Sequence, residues 1–151
     1  MLCETSPCLL HMKETLDDRL TLYEPVSFIL DVLRDRLDFT VLPKNVAVHA
    51  TCSIRKLGLA GKLVSLASLC ASQVVAPVDT DCCGFAGDRG FTHPELNTSA
   101  LQALRFQVNG CDAGYSTSRT CQIGLSLHSG IPYYSILYLV DEATKMKKES
   151  A

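Results

Sequence analysis

Asn45-Val46-Ala47-Val48-His49-Ala50-Thr51-Cys52-Ser53 is the stretch whose reading decides the fold. The apolar run Val46–His49 is strand-like, and it stops at small and hydroxyl residues and a cysteine. Leu57, Leu59, Leu63, Leu66 and Leu69 then give a helix from about Arg55 to Ala71. Strand followed by helix is the first half of a parallel crossover unit. Val74-Val75-Ala76-Pro77-Val78 supplies the second strand and leads into the loop Asp79–Gly90.

The alternation continues downstream. Pro94 and the acidic first-turn residue Glu95 open a helix reaching Val108. Asp112–Tyr115 is a weaker third strand. A helix over Thr120–His128 follows, with Gly130 placed to end it. Tyr133–Ile136 makes a fourth strand before a helix to Lys147, fraying along the tail Lys145–Ala151. This order predicts an α/β fold, a small parallel sheet of three to four strands flanked by helices.

Upstream, Leu16, Leu20, Phe28, Ile29, Val32, Leu33 and Leu37 recur at helical intervals, so Leu9–Leu42 is expected to be a helical arm or linker. Pro25 suits a first-turn position, Pro43 closes the segment, and Asp31, Arg34, Asp35, Arg36 and Asp38 form its solvated face. The expected organisation is an arm over residues 1–44, an α/β domain over 45–147 and a disordered tail over 148–151.

Parallel strands joined by right-handed crossovers all point one way. Cys52, the vicinal pair Cys82-Cys83, and Cys121 each lie in or just beyond the segment after a strand. All four therefore belong at the carboxyl edge, where open α/β sheets bind ligands.

The chain has 151 residues, enough for one ordinary domain, with 47% hydrophobic and 20% charged residues. Fourteen basic against sixteen acidic side chains, a net charge of −2, argue against nucleic acid or an anionic membrane as main partner. No run approaches the ~18 apolar residues of a membrane span. Eight cysteines are many, yet Met1–Met12 has no secretory pattern, so a cytoplasmic setting is expected. Metal binding or redox chemistry is then favoured over a disulfide framework or inert core thiols.

Four thiolates select soft metals and match tetrahedral zinc or a [4Fe–4S] cluster equally on ligand count. The sequence has no C-x₂-C knuckle. Vicinal ligands are awkward on one ion but can serve two irons, which favours iron–sulfur over zinc. In the loop Gly84-Phe85-Ala86-Gly87-Asp88-Arg89-Gly90, Gly84 and Gly87 allow tight turns with amides against an anion, and Arg89 adds charge. A plain turn is the alternative. A phosphate loop lacks its Lys-Ser/Thr pair. His49 either donates a hydrogen bond to the site or is a buried structural histidine. Cys70 is expected in the core and Cys111 in a structural turn, with His93 and His128 at surface or cap positions. No Ser–His–Asp or paired-carboxylate set can be assembled, so no acid–base machinery is evident.

Leu2-Cys3-Glu4-Thr5-Ser6-Pro7-Cys8-Leu9-Leu10 echoes Tyr115-Ser116-Thr117-Ser118-Arg119-Thr120-Cys121-Gln122-Ile123, with Cys8 matching Cys121. Together with Cys52, Cys82-Cys83-Gly84-Phe85-Ala86-Gly87-Asp88-Arg89-Gly90-Phe91, His93-Pro94-Glu95-Leu96 and Ser118–Leu125, this pattern resembles the cysteine-rich CCG domain. That domain occurs in heterodisulfide reductases and in the iron–sulfur subunits of glycolate oxidase. The nearer resemblance is to the C-terminal part of FAD-linked D-lactate dehydrogenases, over nearly the whole chain.

The resemblance implies a Rossmann-like module carrying an iron–sulfur cluster on Cys52, Cys82, Cys83 and Cys121, with Cys8 or Cys3 as further donors. It adds Arg119 to Gly84, Gly87, Arg89 and His49 as cofactor-contacting residues. It also implies a flavin-bearing dehydrogenase domain or subunit as partner, a cytochrome or quinone acceptor, and peripheral membrane association through that partner. FAD would sit on another domain, so the module alone is not expected to oxidise a hydroxy acid. Residues 1–10 would be the end of a preceding copy. The fuller family pattern closes in C-x-x-C, whereas Ser116 and Ser118 stand here. A four-ligand cluster, a zinc site and an empty site stay open.

Overall fold

In the computed structural model, which describes residues 1–16 and 19–147, four parallel strands form the centre of the chain. The N-terminal segment holds α1 (Ser6–Thr15) and α2 (Pro25–Phe28). α2 runs on through a π-helical turn, Ile29–Leu33, and a 3₁₀ turn, Arg34–Arg36, into β1 (Leu37–Phe39). Then come β2 (Leu42–His49), α3 (Cys52–Lys56), α4 (Ala60–Cys70) and β3 (Ala71–Val75). After a long loop follow α5 (Arg89–Thr92), α6 (Pro94–Ala100), α7 (Leu104–Gln107), β4 (Ala113–Ser116) and α8 (Arg119–Ser129). The chain closes through β5 (Tyr133–Ser135), α9 (Ile136–Ala143) and β6 (Thr144–Met146).

The sheet order is β3-β2-β4-β5. β2 thus pairs with β3 on one side and β4 on the other, with Val46 opposite both Val74 and Ala113. The chain reverses its winding direction at β2, which opens a crevice beyond the carboxyl ends of β2 and β4. Alternation along β2 divides the core. Val46 and Val48 join Leu63, Leu66, Ile136 and Leu139 on one face. Ala47 joins Phe85, Leu101, Leu104 and Leu125 on the other. The α/β architecture with a four-stranded parallel sheet is the one the sequence predicts. Among the described residues no helix is long and apolar enough to cross a membrane.

Several boundaries differ from expectation, for local reasons. The Leu9–Leu42 helix is broken: Leu16 and Leu20 lie outside helices and are 41% and 51% exposed. Pro25 does open a helix, because Glu24 Oε2 accepts the Val26 amide at 2.8 Å. Val26 and Ile29 are buried in the sheet's core, so this part of the arm is packed into the domain. Pro43 does not close a helix. It lies inside β2, where the pairing with β3 shifts between Leu42 and Asn45, and that irregularity tolerates a residue without an N–H.

The Arg55–Ala71 helix starts earlier, at Cys52, where Thr51 Oγ1 caps Ile54 N. It breaks at Gly58, whose φ of +70 ends α3. β3 begins at Ala71 and stops at Val75, short of Ala76-Pro77-Val78. The Glu95–Val108 helix is interrupted over Leu101–Ala103, a turn that lets both Leu101 and Leu104 bury fully. The C-terminal helix ends at Ala143 rather than Lys147. Thr144, Lys145 and Met146 pair antiparallel with β1, so Lys145 and Met146 are not frayed. The expected disordered tail, 148–151, lies outside the described residues.

Candidate metal centre

Three elements deliver four thiols to the carboxyl edge of the sheet. Cys52 opens α3 just after β2, Cys82 and Cys83 sit in the loop after β3, and Cys121 lies in the first turn of α8 after β4. Cys83 and Cys121 are buried, while Cys52 and Cys82 are exposed. The set thus runs from the core face below Phe85 and Leu125 out to solvent.

The sulfurs interact. Cys83 Sγ and Cys121 Sγ share a hydrogen bond of 2.9 Å. Cys82 contacts both Cys83 and Cys52 through sulfur. Backbone amides converge on them too. Gly84 N–H donates to Cys82 Sγ at 3.4 Å, and the Phe85 amide donates to Cys83 Sγ. Donors aimed at sulfur favour the thiolate. Accordingly the Cys83 thiol is drawn down to about 7, first by the Cys121 S–H and also by the Phe85 amide, against the opposing effect of burial. Cys121 is pushed up because it keeps the shared proton and because it is buried. Burial raises Cys82 as well.

The loop is held by geometry that few side chains allow. Gly84 has φ +71, and a Cβ there would lie 2.5 Å from the Leu96 carbonyl oxygen and 2.9 Å from Ala100 Cβ. Asn97, only 2% exposed, donates from Nδ2 to the Cys83 carbonyl oxygen and ties the vicinal pair to α6. Ala86 and Gly87 both have positive φ, at 47 and 75, and turn the chain toward α5. Gly87 is a turn residue here, with open space around it.

Other sequence-predicted residues fall elsewhere. Arg89 is exposed at the start of α5. Arg119 is exposed on α8, donates to Gln122 Oε1 at 3.4 Å, and lines a cleft of about 350 Å³ with Glu4, Thr5, Ser135 and Tyr138. His49 is 2% exposed with Nε2 unpartnered, and burial depresses it to about 4. It borders a cleft of about 440 Å³ with Arg55, Asp79 and Asp81. Cys8 is exposed on α1, and Cys3 Sγ donates to the Thr5 carbonyl at 3.6 Å. Cys70 is fully buried, and burial raises it to about 11, as fits a core thiol. Cys111 is buried in the other face of the core. His93 pairs with Glu95 at 3.1 Å on the surface.

Ser118, where a fifth thiolate would stand in the C-x-x-C pattern, is 4% exposed and hydrogen-bonds to Cys121 sulfur. Ser116 instead donates to the His49 carbonyl at 3.1 Å. A second polar group was not anticipated. Ser6, Thr51, Ser53 and Thr117 form a buried knot of hydroxyls, with Ser6 Oγ 2.7 Å from Ser53, 3.0 Å from Thr51 and 3.1 Å from Thr117. It fastens α1 to the ends of β2 and β4. The echo between Thr5-Ser6 and Thr117-Ser118 is the sequence signal that bears on it, because both stretches meet there: Ser6 N–H reaches Thr117 O at 3.5 Å.

No protein-family model, curated protein or solved structure matches the chain. Among the described residues, no group of three or more His, Cys, Asp and Glu side chains is arranged to hold a metal ion. The four cysteines nevertheless bring soft donor atoms to one edge of the sheet. Cys52, Cys82, Cys83 and Cys121 contact one another in that order, amides point at two of the sulfurs, and an apolar floor lies beneath.

Proposed function

We propose that the chain is a cysteine-rich, CCG-type electron-transfer module of an FAD-linked 2-hydroxy-acid dehydrogenase resembling the D-lactate enzymes. Its ligands would be Cys52, Cys82, Cys83 and Cys121. The observation that carries this reading is the sulfur contact chain joining four cysteines from three separate crossovers at the carboxyl edge of the sheet. An iron–sulfur cluster held there would accept and pass on single electrons.

Each of the chain's own groups has a role in that reading. The Gly84 and Phe85 amides stabilise negative sulfur, Phe85 and Leu125 exclude water from the inner side, and Ser118 donates a hydrogen bond to Cys121. The exposed sulfurs of Cys52 and Cys82 face the side from which a partner could exchange electrons. The partners proposed are a flavin-bearing dehydrogenase and a cytochrome or quinone acceptor, in a cytoplasmic setting with peripheral membrane association through the partner.

A second reading is a zinc-bound or metal-free docking module for the flavin-bearing protein. It is favoured by serine at positions 116 and 118, where the fuller family pattern would place a further thiolate. Anaerobic reconstitution with iron and sulfide, followed by absorption and EPR spectroscopy and metal analysis, separates the two. The cluster reading expects a visible absorption band and an EPR signal that Cys82→Ser abolishes and Cys70→Ser retains. One stoichiometric zinc and no iron would sink it.

A further inference from the structure

The sulfurs of Cys83 and Cys121 stand 2.9 Å apart, and both are free thiols. A disulfide requires about 2.0 Å between sulfurs, so closure asks for a movement of about 1 Å. Neither side chain has to change element or leave the core. Cys83 is anchored through its carbonyl to Asn97 and through Gly84 to α6, and Cys121 stands on the eleven-residue helix α8. The neighbouring choice, a bond between vicinal Cys82 and Cys83, would distort the peptide linking them. The pair lies just under the surface, with Cys121 8% and Cys83 4% exposed beside the exposed Cys82.

We propose that Cys83 and Cys121 are a reversible disulfide site, closed by a hydroperoxide and reopened by a dithiol, which locks the metal-free chain against loading. One sulfur attacks the peroxide O–O bond, giving a sulfenic acid and one water. The second sulfur attacks that sulfenic sulfur; the S–S bond forms, the S–O bond breaks, and a second water leaves. The two thiols lose two electrons and two protons, and hydrogen peroxide takes up both. A dithiol reverses the bond by two exchange steps and leaves as its own disulfide. Each closure removes two of the four ligands. The locking consequence rests on the cluster reading above, whereas the disulfide itself does not.

The test uses the full chain, reduced with dithiothreitol, freed of reductant anaerobically and given one equivalent of hydrogen peroxide. Remaining thiols are alkylated in denaturant, and the unreduced digest is mapped by mass spectrometry. The expected product is a single cross-link between Cys83 and Cys121, with Cys70 and Cys111 alkylated. Cys121→Ser should abolish it, and Cys70→Ser should leave it. Recovery of Cys83 and Cys121 both alkylated, or a link joining Cys82 to Cys83 or to Cys52 instead, overturns the proposal.

A second arm adds ferrous iron and sulfide to the oxidised and the reduced chain. At least tenfold less cluster absorbance in the oxidised chain, restored by dithiothreitol, supports the lock. Equal uptake with the cross-link intact overturns the lock. If the cross-link forms but the reduced chain takes no iron, the cluster reading fails and the disulfide stands.

Discussion

Two polar groups sit side by side at the same sheet edge and are built from the same elements, one of oxygen and one of sulfur. Thr51, Ser53 and Thr117 are near neighbours in sequence of Cys52 and Cys121, yet the two sets are arranged for different ends. The hydroxyls are at most 5% exposed and bond to one another, so their hydrogen-bonding needs are met internally. Such a knot stabilises by fixing α1 to the sheet. The thiols bond weakly, reach the surface, and draw in backbone amides that a structural thiol does not need. Oxygen here holds the fold together, and on the function proposed above sulfur is left for chemistry.

The sharpest way to break this comparison is to cross the readouts. Cys82→Ser should remove the reconstituted cluster signal entirely while changing stability by no more than about 0.5 kcal/mol, because Cys82 is exposed. Ser6→Ala should do the reverse. It leaves Thr51, Ser53 and Thr117 short of a partner, at a cost of about 1–3 kcal/mol in urea unfolding, with the iron content unchanged. If Ser6→Ala loses iron at full occupancy of the folded state, the two groups are not separable.

Gly84→Ala should strike the thiol side through the fold. Its Cβ would meet the Leu96 carbonyl and Ala100 in a left-handed conformation, for a destabilisation of about 2–4 kcal/mol. A denaturation midpoint unchanged within error would mean that the loop can move away from α6.

A pH dependence is expected in the N-terminal segment. Glu24 is 1% exposed, with Oε1 unpartnered, in the segment that α1 leads into. Burial raises its carboxyl from 4.5 to about 7, outweighing the Val26 and Ser27 amides that favour the anion. The folded chain therefore keeps a proton that the unfolded chain gives up. That stabilisation is complete below pH 4.5 and is lost as the pH rises through 7, a change on the order of 2 kcal/mol. Urea midpoints at pH 5 and pH 7.5 should show the decline, and Glu24→Gln should flatten it.

The sheet was legible because its signals are local. Val46–His49, Asp112–Tyr115 and Tyr133–Ile136 each carry a short apolar run before a small or polar residue, and parallel crossovers then force the cysteines to one edge. Gly130 marked a helix end correctly, with φ +81. What escaped depends on partners distant in sequence. Pro43 suggests a stop until pairing with β3 shows an extra residue in β2 at that point. Lys145 looks like tail until β1 offers an edge. The Ser6–Thr117 bond and the contact between Cys83 and Cys121 are tertiary, and no spacing rule encodes them. Arg89 and Arg119 are both exposed, Arg89 at the start of α5 and Arg119 at the start of α8.

The ribbon formed by β1 and β6 has its own consequence for the order of assembly. It joins Leu37 to Met146 and Phe39 to Thr144, so nearly the whole sheet lies between its two halves in sequence. Bringing such remote segments together early would carry one of the larger loop-closure penalties in the chain, and the pairing is best formed once β2 to β5 have gathered its ends. The ribbon is thus a clasp that fastens last. Its amides, Thr40 N–H to Ala143 O and Lys147 N–H to Arg36 O among those beside it, should be the first to exchange with deuterium when the folded chain breathes.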